Sequence, residues 1–435
     1  MSSLHARLQR IRSGKAEGKG QEASDTSLPA EEAPAAFLEG WELLGDQVAK
    51  RVAVQSAPAL SELMHPALAL LFPDLLLYRQ AANGMDGDAT LGDLLFFDLE
   101  TTGLSSGSGT VAFLAAFGRL APCGEGYHDG VELHIAQYLL LDYPGEAFFV
   151  QALVDEFGLA KSATGRPPLV ITYNGKCFDA QILKTRCIML GIPPPRLLQG
   201  DLLYPARRIW KRTLPSCSQS CIETTLLGID RTDDIPGALA PEIWFSFLKT
   251  KNPEPLLRIC EHNARDIYGM AALLGAIAEI ARDPCTVLES YQGDVEQLAL
   301  HWKPWLRRWS ALLSAQERLL LETMGQTLLI RAAAEHPLAA LRYGQNLLHS
   351  AQKEEGRSLL IELSQGYLWA KAVELPDSAR TGLFRMLAVD AEYALKDKGR
   401  ALAFTEKALA QKNIGQSALQ ELLRRKARLE KELAP

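Results

Sequence analysis

The stretch LLFFDLETTGL, residues 94–104, drives an unbroken apolar run into two carboxylates one residue apart. A run of Leu and Phe closed by a threonine pair and a glycine reads as a buried strand that ends at a turn. Side chains at i and i+2 of a strand share a face, so Asp98 and Glu100 project together from its end. Two unpaired acids in that place repel each other and resist burial. Either a hard divalent cation such as Mg2+ or Mn2+ is held there, or both acids stay exposed at a strand edge.

The segments around this strand set the expected topology. TVAFLAAFGRL (110–120) and VELHIAQYLLL (131–141) read as two further strands separated by glycine-rich turns, so the three form a meander of hairpins. After them the period changes. EAFFVQALVDEF (146–157) has the spacing of an amphipathic helix, PLVITYN (168–174) that of a fourth strand, and FDAQILKTRCIML (178–190) that of the helix after it. LLQGDLLYPARRIWKR supplies a short fifth strand ending at Asp201 and then a basic helix. Helices are expected over 218–227 and 241–249, and a long one over 253–282. Three antiparallel strands followed by helix–strand units predict an α/β fold with a mixed five-stranded sheet flanked by helices.

Outside that region the signals differ. Residues 14–36, rich in Gly, Ala, Glu and Pro, lack the large apolar groups needed to order a chain, so 1–36 reads as a flexible tail whose first residues could form a short basic helix through Leu4, Leu8 and Ile11. Residues 37–54 read as an extended or hairpin lead-in. Strand signals end at Asp283, and 286–435 reads as an all-α domain after an α/β domain over 37–285. AALRYGQNLL (339–348) and RALAFTEKAL (400–409) share a pattern at an offset of 61 residues, compatible with tetratricopeptide-type hairpins of about 34 residues each or with an ordinary helical bundle.

Composition narrows the function classes. Forty-six Lys and Arg against 52 Asp and Glu leave a net charge of −6, so any nucleic-acid contact must come from local patches. No apolar stretch has the roughly 18 residues of a membrane span, and the first residues lack the apolar centre of a signal peptide, so a cytoplasmic protein is expected. The seven cysteines contain no C-x-x-C pair and read as reduced structural thiols; Cys217 and Cys221 could share a helix face as half a metal site, with no second pair to complete it.

Two downstream segments carry further acids. ITYNGKCFDAQIL places a turn at Asn174 and Gly175 and Asp179 at the start of a helix, where an acid complements the helix dipole. ICEHNARDIYGMAALL puts an apolar stripe of Ile259, Ile267, Met270 and Leu273 beside His262 and Asp266, four apart and on one face. The ordered set, D-L-E-T-T-G on a first strand, N-G-x-x-F-D after a fourth strand and H-N-x-x-D on a later helix, resembles the three exonuclease motifs of the DEDD, or DnaQ-like, superfamily with an RNase H-like fold. The resemblance covers about residues 37–282. DLLYPARRIWKR, SCSQSCIETTLLGI and RTDDIPG look closest to its YprB-type branch, which also carries tetratricopeptide-like helical tails.

The resemblance implies that Asp98, Glu100, Asp179 and Asp266 hold two divalent cations, Mg2+ or Mn2+, with a phosphodiester between them. One ion would ready a water for attack and the other would stabilise the leaving 3′ oxygen. It implies a metal-dependent 3′-to-5′ exonuclease acting on an RNA or DNA 3′ end, with Thr101, Thr102 and Gly103 against the terminal nucleotide. Relatives use a Tyr four residues before the last Asp or a His five before it; here His262 stands at four and Glu261 at five, so the chain fits neither subgroup cleanly. His262 is the expected general base, because a neutral imidazole can deprotonate a water held by metal. Asn263 could order Asp266.

Asp201 could orient a metal ligand or cap the next helix, and the cap is preferred. Arg207, Arg208, Lys211 and Arg212 make a basic stripe around Trp210 that either grips a phosphate backbone, with Trp210 stacking on a base, or is solvated helix charge. With Asn174, the residues Arg207, Arg208 and Lys211 are the nucleic-acid contacts expected. Asp233 and Asp234 in RTDDIPG read as turn formers outside the metal site. Two alternatives stay open: a catalytically silent nucleic-acid-binding module with a helical tail that recruits a protein partner, and a scaffold whose tail is the principal element.

Overall fold

β3 (Leu94–Thr101) has its first four residues buried and is an interior strand of a mixed sheet with strand order β1-β2-β5-β4-β3-β6-β7, in which β1 is Glu42–Gly45 and β2 is Val48–Ser56. Its neighbours are β4 (Ala112–Pro122), antiparallel to it, and β6 (Leu169–Thr172), parallel to it. β5 (Val131–Leu140) runs antiparallel to β4, and β7 (Leu198–Asp201) is parallel to β6. The computed structural model of the protein describes residues 39–45, 47–58, 60, 65–81, 90–103, 109–122 and 130–434. The expected tail over 1–36 and its short helix lie outside the described residues.

The meander and the helix–strand units take the expected order, but the sheet has seven strands rather than five. The lead-in is the reason: β1 (Glu42–Gly45) and β2 (Val48–Ser56) form a hairpin, and β2 pairs along its whole length with β5. β2 is mostly exposed beyond Ala49, so it lacks the apolar run that marked the central strands.

Alternation divides the two faces of β3. Phe97 points to one face, packing against Phe117 and Phe157 beneath α3 (Glu146–Thr164). Phe96 points to the other face, and Asp98 and Glu100 follow it there. That face is covered by α8 (Glu254–Arg282), whose buried Ile259, Asn263, Ile267, Met270, Leu274 and Ile277 recur at helical spacing. Close contact is possible because Gly118, opposite Phe96 in the ladder, has no side chain: a Cβ there would lie 2.4 Å from Ile267 Cγ2.

The described residues before α8 also form α1 (Leu68–Leu71), α2 (Asp74–Ala81), α4 (Asp179–Leu190), α5 (Leu203–Trp210) and α6 (Gln219–Ile222), the last continuing as a π turn over Glu223–Leu227. α7 (Ala240–Thr250) precedes α8 and stacks Trp244 on Phe113 of β4. After α8 come the short α9 (Val287–Ser290), α10 (Val295–Trp309) and α11 (Ala315–Ala333). Leu298, Trp302, Leu306, Leu321 and Leu328 of these helices join Trp210, Met270 and Ile277 in one buried cluster that runs across position 285.

A second cluster, through Leu360, Leu387, Phe404, Leu422 and Leu429, is formed by α12 (Pro337–Leu348), α13 (Lys353–Ser364), α14 (Asp377–Tyr393), α15 (Lys398–Leu409) and α16 (Gln416–Leu433). One small correction applies to the all-α expectation. A two-stranded ribbon, β8 (Tyr367–Leu368) with β9 (Lys371–Ala372), links α13 to α14, its tight turn using left-handed backbone at Trp369 and Ala370. Among the described residues no helix is long and apolar enough to cross a membrane, and the described cysteines are free thiols.

Candidate active site

Four segments bring acids to the end of β3. Asp98 and Glu100 arrive on the strand itself, where a register irregularity between Glu100 and Thr101 marks the end of regular pairing. Asp179 arrives at the start of α4 by way of the turn after β6. Asn174 adopts left-handed backbone (φ 65°), and Gly175 must be glycine because a Cβ would meet Thr172 at 2.6 Å and Asp179 Oδ2 at 2.8 Å. Asp201, at the end of β7, holds that turn: its carboxylate accepts from the backbone N–H of Asn174 at 2.8 Å, of Leu203 at 3.0 Å and of Lys176 at 3.3 Å. Leu202, not Asp201, holds the N-cap position of the next helix, which corrects the expected cap; Asp201 accepts from that helix's first residue and fixes the loop that aims Asp179. Asp266 and His262 come from α8.

The electrostatics agree with convergence. Removal from water, then the charge of Asp266, pushes the Asp98 carboxyl up to about 7. Burial, followed by Asp98, Asp266, Asp179 and Asp234, raises Glu100 well above the usual carboxylate range. Burial, then Asp98, Asp201 and Asp266, does the same to Asp179. Acids that raise each other's protonation in this way share one low-dielectric site and present a strong demand for positive charge.

Donor chemistry fits a hard divalent cation. Glu100, His262 and Asp266 each offer an atom, and these atoms lie within 4.8 Å of one another. His262 Nε2 is 3.9 Å from Glu100 Oε1 and 3.5 Å from Asp266 Oδ2. His262 and Glu100 side chains are 13% and 12% exposed, enough to meet a solvated ion without facing bulk water.

Several side chains behind the acids were not legible as site residues. Asn263 donates to Asp98 Oδ2 at 2.7 Å, which corrects the expectation that it orders Asp266. Its own carbonyl oxygen accepts from Gln137 Nε2 at 3.0 Å, and Arg51 donates to Gln137 Oε1 at 2.6 Å. The unforeseen strand β2 therefore braces the first acid through a three-residue relay. Asp234, expected to be a turn residue outside the site, lies 2.9 Å from His262 Nδ1, a close charge contact rather than an aligned hydrogen bond. Burial raises the Asp234 carboxyl, but His262 and Arg231 outweigh it and hold the group below its ordinary range. Arg231 donates to Asp266 Oδ1, to Asp234 Oδ2 at 2.7 Å and to Glu223 Oε2 at 2.5 Å.

The basic stripe on α5 divides. Arg207 and Lys211 are exposed and line a cavity of about 560 Å³ beside Tyr173, Asn174 and Gln219. Arg208 turns inward, donating to the carbonyls of Leu70 at 3.1 Å and Leu71 at 2.6 Å and lying over Trp305, so it closes the end of α1 and is not a free phosphate contact. Trp210 is buried with its N–H donated to Tyr291 O at 2.7 Å, so it cannot stack on a base. Arg212 pairs with Asp294 and Glu296, both at 3.3 Å. Thr101 and Thr102 use their hydroxyls locally, on Gly103 O at 2.8 Å and Val111 N–H at 2.9 Å, which shapes the turn after β3.

Residues 95–278, which carry the sheet and the acid cluster, match the profile of the RNase_H superfamily. The chain is also similar to the uncharacterized protein YprB of Bacillus subtilis (strain 168), with 35% identity over 184 residues, which is 42% of this chain and 41% of that relative. The matched part thus spans about two fifths of the relative's length.

Proposed function

We propose that the protein is a metal-dependent nuclease that removes nucleotides from a 3′ end of RNA or DNA in the cytoplasm. What supports this reading is the convergence of Asp98, Glu100, Asp179 and Asp266 from separate segments into one mutually repelling cluster inside an RNase H superfamily domain. In this reading the four carboxylates would hold two divalent cations, Mg2+ or Mn2+, which supply Lewis-acid activation of water and charge stabilisation at the leaving oxygen. His262 accepts the proton of the attacking water, and Asp234 behind its Nδ1 stabilises the imidazolium that results. Arg207, Lys211 and Asn174 border the cavity through which the strand approaches, and the turn at Thr101, Thr102 and Gly103 meets the terminal nucleotide.

The C-terminal helices serve a protein partner in this proposal. Between α12 and α14 lies a groove of about 710 Å³, with Leu341, Met386 and Tyr393 on its walls and Arg342 and Lys353 at its margin, a chemistry suited to an acidic segment with apolar side chains.

Asp98→Ala and Asp179→Ala should each abolish Mn2+-dependent nucleotide release from labelled single- and double-stranded RNA and DNA. Undiminished release by either variant would remove the mechanism. Substrates blocked at one end separate exonuclease from endonuclease action, since a 3′ block should stop the reaction. The alternative, a catalytically silent nucleic-acid-binding module, requires that the wild-type protein shift RNA or DNA in a gel and degrade neither across Mg2+ and Mn2+ titrations.

A further inference from the structure

The four acids and His262 do not account for the arginine wedged among them. Arg231 lies in the segment between the π turn and α7, and its side chain is only 7% exposed. Its three donor nitrogens engage three different carboxylates, those of Glu223, Asp234 and Asp266. Asp234 contacts His262 Nδ1, and His262 Nε2 faces Asp266 Oδ2, so Arg231, Asp234, His262 and Asp266 form a closed ring of polar side chains.

The far side of the ring is anchored in a way that costs the fold something. Glu223 is fully buried on the π turn, and burial raises its carboxyl despite Arg231. Its other hydrogen bond comes from Gln219 Nε2 at 2.8 Å, and the same amide nitrogen donates to the Asp266 carbonyl at 2.8 Å. Room for Glu223 exists only because α8 carries Gly269: a Cβ there would lie 1.5 Å from Glu223 Oε1. A glycine inside a long helix and a buried acid are each unfavourable alone. Together they fix one guanidinium against a single oxygen of Asp266.

We infer that Arg231 is a resident counter-cation, a positioning residue that shares Asp266 with the divalent ion, holds the acid cluster assembled before the ion arrives, and lowers the affinity for it. The inference rests on the metal-binding reading above. Arg231 occupies Asp266 Oδ1 and leaves Oδ2, the oxygen near His262 Nε2, for an ion. A fixed positive charge beside a ligand carboxylate opposes a second cation by Coulomb repulsion, while in the absence of that cation it offsets the repulsion among the acids. Two consequences separate this role from that of a plain brace. Removing the Arg231 charge strengthens metal binding and makes the folded state depend on metal, whereas removing a brace loosens the ligands and weakens binding.

The experiment uses the full chain and Mn2+ alone as probe. Glu223→Leu/Arg231→Leu removes Arg231 together with its most deeply buried partner, so that Glu223 is not left orphaned, while Asp234 keeps His262 and Arg265 and Asp266 keeps His262; Glu223→Gln/Arg231→Gln preserves shape and carries the measurement should the first variant not fold. Free aqueous Mn2+ is counted by electron paramagnetic resonance, and melting is followed in EDTA and in Mn2+. The double variant should bind its first Mn2+ about ten-fold or more tighter than wild type. The gap between its melting temperatures in Mn2+ and in EDTA should also widen. Arg231→Lys, which keeps the charge and loses the fork, should stay within about three-fold of wild-type affinity. Equal or weaker Mn2+ binding by the double variant overturns the inference, as does an Arg231→Lys variant that binds as tightly as the double variant. Failure of wild type to bind Mn2+ at all overturns the metal-site reading instead, so the two failures are distinct.

Discussion

Asp98 links protonation to stability in a way that can be measured without substrate. Its carboxyl is pushed up to about 7 by burial and by Asp266, whereas an aspartate in an unfolded chain titrates near 3.9. The folded state therefore keeps a proton that the unfolded state has already released, so this group's contribution to stability is full below about pH 4 and is lost as pH rises through about 7. In EDTA the melting temperature should fall between about pH 5 and pH 8. Asp98→Asn should flatten that slope and raise the melting temperature at the alkaline end. A wild-type profile that climbs through this window would contradict the raised carboxyl. His262→Ala tests the other protonation role: turnover should fall by about two to four orders of magnitude while Mn2+-free melting changes little, and a wild-type rate would make His262 a scaffold residue. Asp98 with Glu100, and His262 with Asp266, were legible because each pair stands at a spacing that one strand or one helix turns into a shared face, whereas Asp179 was legible only through the motif resemblance. Arg231, Glu223 and Asp234 were not, since their meaning lies in contacts across the fold: Arg231 reaches Asp266 across 35 positions. The signal that could have found them is Gly269 in the interior of a long helix, which marks a close approach by something.

At the level of elements, the site depends on how near α8 can come to the sheet. Gly118 on β4 sets that distance, because a methyl group there would lie 2.4 Å from Ile267 Cγ2, one residue beyond Asp266. Gly118→Ala should destabilise the protein by about 1–3 kcal/mol through overpacking and should reduce activity by shifting Asp266. Ile267→Ala makes room, so the double variant should be less unstable than the sum of the singles, and denaturant titration of all three measures the coupling. Strict additivity would show that the helix does not bear on Gly118. The central strands were readable from their apolar runs, and α8 from the recurrence of Ile259, Ile267 and Met270. β2 was harder to place, because its outer residues are exposed and its pairing with β5 is a property of two distant segments. The consequence is functional: Arg51 on that strand stands at the head of the relay to Asp98.

For the whole molecule, the packed unit that holds the acid cluster extends past the last strand of the sheet. Strand signals end near position 283, but packing continues: Leu298, Trp302 and Leu306 of α10 and Leu321 and Leu328 of α11 lie in the same buried cluster as Trp210, Met270 and Ile277. Trp302 is held by donating its N–H to Leu321 O at 2.7 Å, and Gly325 leaves space for its ring. Each of these large side chains contributes about 1.5–3 kcal/mol by burial, so losing five of them is comparable to the whole of the roughly 5–15 kcal/mol that keeps a typical protein folded. Their loss also bares the outer surface of α8, the helix that carries His262 and Asp266. A chain ending at 285 should therefore aggregate or melt without cooperativity, whereas one ending at 336, after α11, should melt cooperatively and keep its Mn2+ site. The second cluster, from α12 to α16, is built mainly from its own leucines and from ion pairs such as Arg357 with Asp390 at 2.5 Å. Melting curves and near-ultraviolet circular dichroism of the two truncations distinguish the cases. A cooperative transition in the 285-residue chain at the full-length temperature would mean that α10 and α11 merely rest on a core complete without them.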